Sequence, residues 1–274
     1  MPAVDLNMQY KALAIDLDGT LLVGEHIPAE NIRAVRAARD RGIGIIIATA
    51  RWSHMARRVA QELDISGPII ACSGAQVLDP DTGLDLFDHR MPLDFVAELY
   101  AICNAERCIA TITVNDRVLL KMEGQPDPKL LDAEMQPLSA LIPDGTDLPR
   151  VAAIQGTRCN ERIRAELGVR FAHSVNIYDS IGPTGKLVLT LTAKAASKGA
   201  ALEAACISLG ITPRQVVAFG DAENDLEMFR IAGASVAMGQ ADERTRSVAT
   251  FVTLRNDEAG VAHAIDRLLD RGEI

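Results

Sequence analysis

The stretch that decides the fold runs from Ala12 to Leu22 and reads ALAIDLDGTLL. An apolar run that ends in an Asp-Gly turn signal is typical of a buried strand in a parallel sheet. Asp16 lies inside this run and Asp18 follows it, so the period of two along a strand points both side chains in one direction. Both carboxylates would lie at the carboxyl end of the strand, where open α/β sheets bind ligands. Because buried carboxylates are unfavourable without a positive partner, the pair indicates a site for a divalent cation.

The composition is that of an ordinary globular protein, with 48% hydrophobic and 24% charged residues among 274. The formal net charge of -9 argues against non-specific binding to nucleic acid or to an anionic membrane surface. The N-terminal residues lack the build of a signal peptide, and no apolar run is long enough to span a bilayer. We therefore expect a cytoplasmic protein that has neither nucleic acid nor membrane as a partner.

The cysteines point to the same compartment. They are odd in number and form no C-x-x-C pair, which is typical of reduced, mostly buried thiols in a cytosolic protein. The five are Cys72, Cys103, Cys108, Cys159 and Cys206.

The two ends of the chain alternate strands and helices, which predicts an α/β fold with a Rossmann-like, doubly wound parallel sheet. This core would comprise residues 1–82 and 193–274. The elements expected before the interruption are strands Lys11–Leu17, Gly44–Ala48 and Pro68–Cys72 and helices Pro28–Arg41 and Ser53–Leu63. The elements expected after it are helix Lys198–Leu209 with Ser197 as its cap, strand Val216–Gly220, helix Asn224–Ile231, strand Ala234–Met238, helix Asp242–Val248, strand Phe251–Thr253 and helix Glu258–Leu269.

Residues 83–192 are patterned differently, with several strands and few helices, which predicts an inserted α+β cap domain with an antiparallel sheet. The helices expected there are Pro92–Asn104 and one near Asn160–Leu167. The strands expected are Cys108–Val114 and Arg117–Lys121, joined as a hairpin by Asn115-Asp116, and Val151–Gln155, Val169–Ala172, Asn176–Tyr178 and Lys186–Thr192. Gly124–Pro128 and Leu138–Pro149 are rich in Pro, Gly and Asp and are expected to be loops.

Polar side chains follow several of the core strands and begin one core helix. Because the carboxyl ends of parallel strands meet at one edge of a sheet, these residues are expected to lie together. They are Asp16, Asp18, Thr49, Lys198, Asp221, Asn224 and Asp225. Carboxylate oxygens suit Mg²⁺, and a lysine, a hydroxyl and backbone N–H groups suit the oxygens of a phosphoryl group.

These residues occur in an order that resembles a known family. DLDGT (Asp16–Thr20), a strand ending in Thr49, Lys198 in SKGAAL and GDAEND (Gly220–Asp225) look like the four motifs of the haloacid dehalogenase-like phosphatases. The position and strand-rich pattern of the insert resemble the type-IIB cap of the Cof-type subfamily, and the tail Val236–Ala262 resembles its C-terminal signature. Ser73-Gly74-Ala75 departs from the usual Asn-Gly-Ala of the family, and Gln240 replaces a usual Asn, which puts contacts near the rim of the site in doubt.

The resemblance implies a role for each motif residue. Asp16 would attack phosphorus and form an aspartyl-phosphate, while Asp18 would act first as general acid and then as general base. The catalytic set would be Asp16, Asp18, Thr49 and Lys198. Mg²⁺ would be held by Asp16, Asp18, Asp221, Asn224 and Asp225, and substrate by Gly19, Thr20, Ala50, Arg51 and Gly74, although a surface role for Arg51 stays open.

These residues are compatible with three functions. The first is a Mg²⁺-dependent phosphatase of small phosphorylated metabolites, such as sugar phosphates or phosphate-bearing cofactors. The second is a phosphosugar mutase that uses the same aspartyl-phosphate, and the third is a non-catalytic metabolite sensor. The sequence carries no expectation about oligomeric state or about which metabolite is bound.

Overall fold

The protein is described by a computed structural model that covers residues 10–115, 117–124, 131, 133–181 and 187–274. Its contacts divide the chain into two compact units. One combines the residues up to Phe87 with Ser197–Ile274, and the other is the insert Asp88–Ala196. The expected boundaries, after residues 82 and 192, lie a few residues earlier. At the first of them, the core sheet gains one more strand, at Asp85–Asp88.

The described residues form fourteen strands, which are β1 (Ala12–Ile15), β2 (Gly44–Ala48), β3 (Ile69–Ala71), β4 (Gln76–Leu78), β5 (Asp85–Asp88), β6 (Ile109–Val114), β7 (Arg117–Lys121), β8 (Met135–Leu138), β9 (Val151–Gln155), β10 (Val175–Ile181), β11 (Leu187–Ala193), β12 (Val216–Gly220), β13 (Ala234–Ala237) and β14 (Phe251–Val252). They also form eight α-helices, which are α1 (Ala29–Asp40), α2 (Ser53–Leu63), α3 (Leu93–Ala105), α4 (Thr157–Leu167), α5 (Lys198–Ser208), α6 (Leu226–Ile231), α7 (Glu243–Val248) and α8 (Gly260–Asp270). None of the helices in these described ranges is long and apolar enough to cross a bilayer.

The core sheet has the strand order β14-β13-β12-β1-β2-β3-β4-β5 and is parallel from β14 to β3. All four residues of β1 are buried, as expected for a strand covered on both faces. Ala12 and Ala14 share one face with Ala201 and Leu202 of α5, so this helix packs directly on the centre of the sheet. The predicted α/β class is confirmed.

The sheet is not parallel throughout, and this corrects the expectation. β4 runs antiparallel to β3, with Ile70 opposite Val77. A tight turn at Cys72–Gly74 reverses the chain, and both Cys72 and Ser73 adopt positive φ angles, of 53° and 58°. A reversal within three residues leaves no room for a crossover helix, so the next strand must pair antiparallel.

The insert forms a six-stranded sheet in the order β10-β11-β9-β6-β7-β8. Its strand pairs are antiparallel except β7 and β8, which run parallel. Helices α3 and α4 contribute to the hydrophobic core of this unit, where Phe95 and Ile163 pack with strand residues such as Ile112 and Ile154. The expected α+β insert is confirmed.

Two local expectations for the insert were wrong. Val169–Ala172 is a turn rather than a strand: after α4 ends at Leu167, the N–H of Phe171 donates back to Leu167 O, and Val169 is 87% exposed. Leu138 was predicted to begin a loop, but it is the last residue of β8. Asp116, the segment 125–128 and Lys186 lie outside the described residues.

Candidate active site

Asp16 follows β1 directly and is buried. Its N–H donates to Phe219 O at 3.1 Å, which continues the pairing of β1 with β12. One carboxylate oxygen, Oδ1, accepts a hydrogen bond from Lys198 Nζ at 2.5 Å. The candidate nucleophile is therefore held at the carboxyl end of β1 by a buried ion pair.

Lys198 is the first residue of α5 and is itself buried. Ser197 caps the helix as expected, because its hydroxyl accepts from Ala200 N at 3.2 Å. The ammonium group also donates to Asp225 Oδ1 at 2.7 Å, so it bridges two carboxylates. Although burial acts to lower it, the negative charges of Asp16 and Asp225 raise the pKa of Lys198, so the side chain is charged.

Asp225 uses both of its oxygens. Oδ1 accepts from Lys198, and Oδ2 accepts from the backbone N–H groups of Asp221 and Ala222 at 3.0 and 3.1 Å. The buried carboxylate therefore ties the loop after β12 to the lysine. This geometry favours a positioning role for Asp225, since neither oxygen is left without a donor.

The carboxylates of Asp16, Asp221 and Asp225 each offer an oxygen within 4.8 Å of the others. Burial raises the pKa of Asp16 well above its usual range, and burial together with the charge of Asp225 raises the pKa of Asp221 to about 6. Three carboxylates thus face one ammonium group, which leaves excess negative charge in a buried place. A hard divalent cation with oxygen ligands such as Mg²⁺ fits this donor set.

Gly19 and Thr20 lie against Asp221. Thr20 Oγ1 donates to Asp221 Oδ1 at 3.4 Å. Gly19 has a φ of +77°, and a Cβ at this position would overlap the Asp221 carboxylate, so both the conformation and the space require glycine. These two residues, predicted to contact substrate, therefore also shape the acidic pocket.

Gln240 is a site residue that sequence reasoning placed only near the rim. Its Nε2 donates to Gly19 O at 2.5 Å, and its Oε1 accepts from Asn256 N at 3.1 Å. Asn256 Nδ2 in turn donates to Leu22 O at 2.9 Å. The sequence signal for this residue was its departure from the family's usual Asn. In the structure, the Gln240 side chain joins the loop after β1 to Asn256 through these hydrogen bonds.

The carboxylate of Asp18 is not among the three that cluster. It is 55% exposed and accepts from Arg51 Nη2 at 2.7 Å and from Arg51 Nε at 2.9 Å. The same guanidinium donates to Glu25 Oε2 at 2.8 Å. Arg51, in the loop after β2, therefore bridges two carboxylates of the loop after β1.

The remaining predicted residues lie in the loops around this core. Thr49 is buried, and its hydroxyl accepts from Arg51 N at 3.0 Å, while Ala50 is exposed. Gly74 has a φ of +87°, and a Cβ there would overlap the backbone of Ser197 and Lys198, so Gly74 allows α5 to approach. Asn224 lies half-buried in the short 3-10 turn next to Asp225.

The fold and the acidic pocket define a hydrolase built on a doubly wound α/β core with an inserted α+β unit. Residues 13–265 match the family model of the haloacid dehalogenase-like hydrolases, and the chain belongs to this family.

Named relatives agree with this assignment. The chain is 29% identical to 5-amino-6-(5-phospho-D-ribitylamino)uracil phosphatase YwtE of Bacillus subtilis, over 94% of this chain and 98% of that protein. It is 28% identical to the phosphoglycolate phosphatase of Archaeoglobus fulgidus, over 94% and 96%. A haloacid dehalogenase-like hydrolase from Bacteroides thetaiotaomicron has a similar structure, with a TM-score of 0.82 and 25% identity, over 95% of this chain and 100% of that chain.

A sugar phosphatase of subclass IIB of the haloacid dehalogenase (HAD) superfamily shares the fold, with a TM-score of 0.77 and 23% identity, over 96% of this chain and 100% of that one. The family match and the named phosphatase relatives confirm the predicted resemblance to Cof-type haloacid dehalogenase-like phosphatases. The chain is a phosphoric monoester hydrolase of this family.

Proposed function

We propose that this phosphatase hydrolyses small phosphorylated metabolites, sugar phosphates or phosphate-bearing cofactors, with Mg²⁺ and through an aspartyl-phosphate on Asp16. The observation that carries the proposal is the buried ion pair of Asp16 with Lys198, next to Asp221 and Asp225. Two relatives, named as phosphatases of a phosphoribityl compound and of phosphoglycolate, support small metabolites as the substrate class.

The geometry suggests how Asp16 would act. Lys198 holds Oδ1, which leaves Oδ2 as the atom that attacks phosphorus. The Oδ2–phosphorus bond forms while the ester bond to the leaving oxygen breaks, and protonated Asp18 gives that oxygen its proton. Water then attacks phosphorus, Asp18 takes the proton, and the Asp16–phosphorus bond breaks to release phosphate.

The surroundings of the reacting atoms would supply charge and position. Lys198 and the Thr49 hydroxyl would receive oxygens of the phosphoryl group, and Asp225 would orient Lys198. Mg²⁺, held by Asp16, Asp221, Asn224 and the backbone carbonyl at Asp18, would neutralise the phosphoryl charge when bound. Arg51 forms an ion pair with the Asp18 carboxylate, so Asp18 must leave this pair before it acts as the general acid.

A phosphate-release screen over a broad panel of phosphorylated metabolites tests the proposed function. With Mg²⁺, we expect sugar phosphates or phosphate-bearing cofactors to be hydrolysed, and we expect excess chelator to remove the activity. Phosphate release without a bisphosphate activator would count against the mutase alternative. Absence of free phosphate with every compound would favour the sensor instead.

Mg²⁺ should stabilise the folded protein through the acidic pocket. A ligand that binds only the folded state at a hundred times its dissociation constant stabilises it by about 2.7 kcal/mol. We expect a Mg²⁺-dependent rise in the thermal unfolding temperature, and we expect Asp221→Asn to abolish it because one ligand charge is lost. Asp270→Asn, an exposed change at the end of α8, is the matched control and should keep the rise. An equal rise in Asp221→Asn would show that Mg²⁺ binds elsewhere.

A further inference from the structure

Three of the five cysteines meet inside the insert. Cys103 lies near the end of α3, Cys108 directly precedes β6, and Cys159 lies in the first turn of α4. Their sulfur atoms all lie within 4.8 Å of one another, and all three residues are buried. The cysteines of the chain are free thiols, so the cluster is not explained by a disulfide.

The spacing of the sulfur atoms suits a single ion. When each metal–sulfur bond is about 2.3 Å long, three sulfurs around one ion lie about 4 Å apart. The sulfur atoms lie within 4.8 Å of one another, a limit that includes this spacing. Among the described residues, the group has three members, and each offers one thiol.

A buried lysine lies beside this cluster, and none of the described carboxylates pairs with it. Lys121, the last residue of β7, is 4% exposed, and its Nζ lies 3.9 Å from Cys108 Sγ. The ammonium group donates to Glu106 O at 2.9 Å, to Cys108 O at 3.4 Å and to the Cys108 sulfur. No carboxylate in the described part of the chain forms an ion pair with it, since the Glu106 side chain is engaged by Arg158 and Arg162.

Charge balance indicates what the cluster would hold. A buried ammonium group is unfavourable without an opposite charge, and a positive charge beside a sulfur favours the thiolate. Three thiolates carry one negative charge more than a divalent cation neutralises. Lys121 supplies the missing positive charge, so a divalent ion leaves the buried site neutral, whereas a monovalent ion does not.

A surface pocket lies beside Lys121. It has a volume of about 580 Å³, and its lining includes Asn104, Glu106, Arg107 and Lys121. These residues adjoin Cys103 and Cys108 in sequence, and Lys121 contacts the sulfur of Cys108. The pocket therefore reaches the lysine that contacts the cluster.

We propose that Cys103, Cys108 and Cys159 bind one divalent thiophilic ion of the Zn²⁺ or Cd²⁺ class, with Lys121 balancing the charge. On binding, three S–H bonds break, three protons leave to solvent and three metal–sulfur bonds form. Soft sulfur ligands separate this site from the carboxylate pocket, whose oxygen ligands suit Mg²⁺. The proposal does not depend on the phosphatase activity.

Titration of the reduced full chain with Cd²⁺, in excess Mg²⁺, tests the proposal. We expect one equivalent of Cd²⁺ to produce thiolate-to-cadmium charge-transfer absorption in the ultraviolet, and to protect Cys103, Cys108 and Cys159 from alkylation. Cys159→Ser should weaken binding by about 100-fold or more. Cys206→Ser, a buried change in the core unit, is the matched control and should bind Cd²⁺ like the wild type.

A second variant keeps the test informative if Cys159→Ser fails to fold. Lys121→Met retains all three thiols and a similar side-chain length, and it should weaken Cd²⁺ binding by about 10- to 100-fold. The alkylation pattern of the wild type needs no variant. The proposal is overturned if Cd²⁺ gives no thiolate absorption, if the three thiols are not protected, or if Cys159→Ser or Lys121→Met binds Cd²⁺ as tightly as the wild type.

Discussion

Asp16→Asn is expected to lower the rate of phosphate release by roughly 10⁴- to 10⁶-fold, the scale seen when an enzyme loses its nucleophile. The amide cannot form the aspartyl-phosphate, although its size allows the same packing after β1. The steady-state rate with a generic aryl phosphate and Mg²⁺ measures the effect. Acid-quenched wild-type enzyme should carry a phosphoryl group on the peptide that contains Asp16, as detected by mass spectrometry, and the variant should not.

Asp64→Asn is the matched control for this experiment. Asp64 ends α2 with a φ of 62°, a conformation that asparagine tolerates, and its side chain is 82% exposed. Its activity should equal that of the wild type. Retention of more than a tenth of the activity by Asp16→Asn, or a phosphoryl group on another residue, would refute Asp16 as the nucleophile.

Lys198→Met is expected to lower both activity and stability. Loss of the ammonium group removes a donor to the phosphoryl oxygens, which costs on the order of 10²- to 10³-fold in turnover. It also leaves Asp16 and Asp225 buried without their shared cation, and removing one member of such a pair costs about 3–5 kcal/mol. Denaturant unfolding in the presence of chelator measures the stability change without a contribution from bound metal.

The stability loss of Lys198→Met should depend on pH in a defined direction. Lys198 lowers the pKa of Asp16, so the variant raises that pKa further above the unfolded-state value. A carboxyl group whose pKa is raised by folding destabilises the folded state above its unfolded pKa, and protonation relieves this. The deficit should therefore be largest at neutral pH and smaller in acid.

Lys11→Met serves as the control for Lys198→Met, because Lys11 is exposed and directly precedes β1, the strand that Asp16 follows. Its unfolding free energy should stay within about 0.5 kcal/mol of the wild type. A deficit in Lys198→Met that does not change between neutral and acidic pH would contradict the buried ion pair as its cause.

Local sequence patterns were sufficient for the parallel part of the core. β2 and β12 lie where their apolar runs predicted, and Ser197 caps α5. The order of the motif residues also sufficed for the family, which the match over residues 13–265 confirms. These features could be predicted from the sequence because buried parallel strands and helix caps depend on residues that are close together in the chain.

The short strands β4, β5 and β8 were not predicted. Each has only three or four residues, and each belongs to a sheet through pairing with another segment rather than through its own periodicity. Such pairing depends on how the chain turns, as the positive φ angles of Cys72 and Ser73 show for β4.

By itself, the sequence determined the family, the α/β core with its α+β insert, and which residue types carry the chemistry. Only the tertiary structure decided which groups the side chains contact. Asp225 pairs with Lys198 and Arg51 pairs with Asp18, while Gln240 donates to the carbonyl of Gly19 and Lys121 lies beside the three thiols of the insert. The physical reason is that these contacts join residues far apart in the chain, or on different elements, so they depend on the packing of strand ends and loops in space. Local periodicity carries no record of that packing.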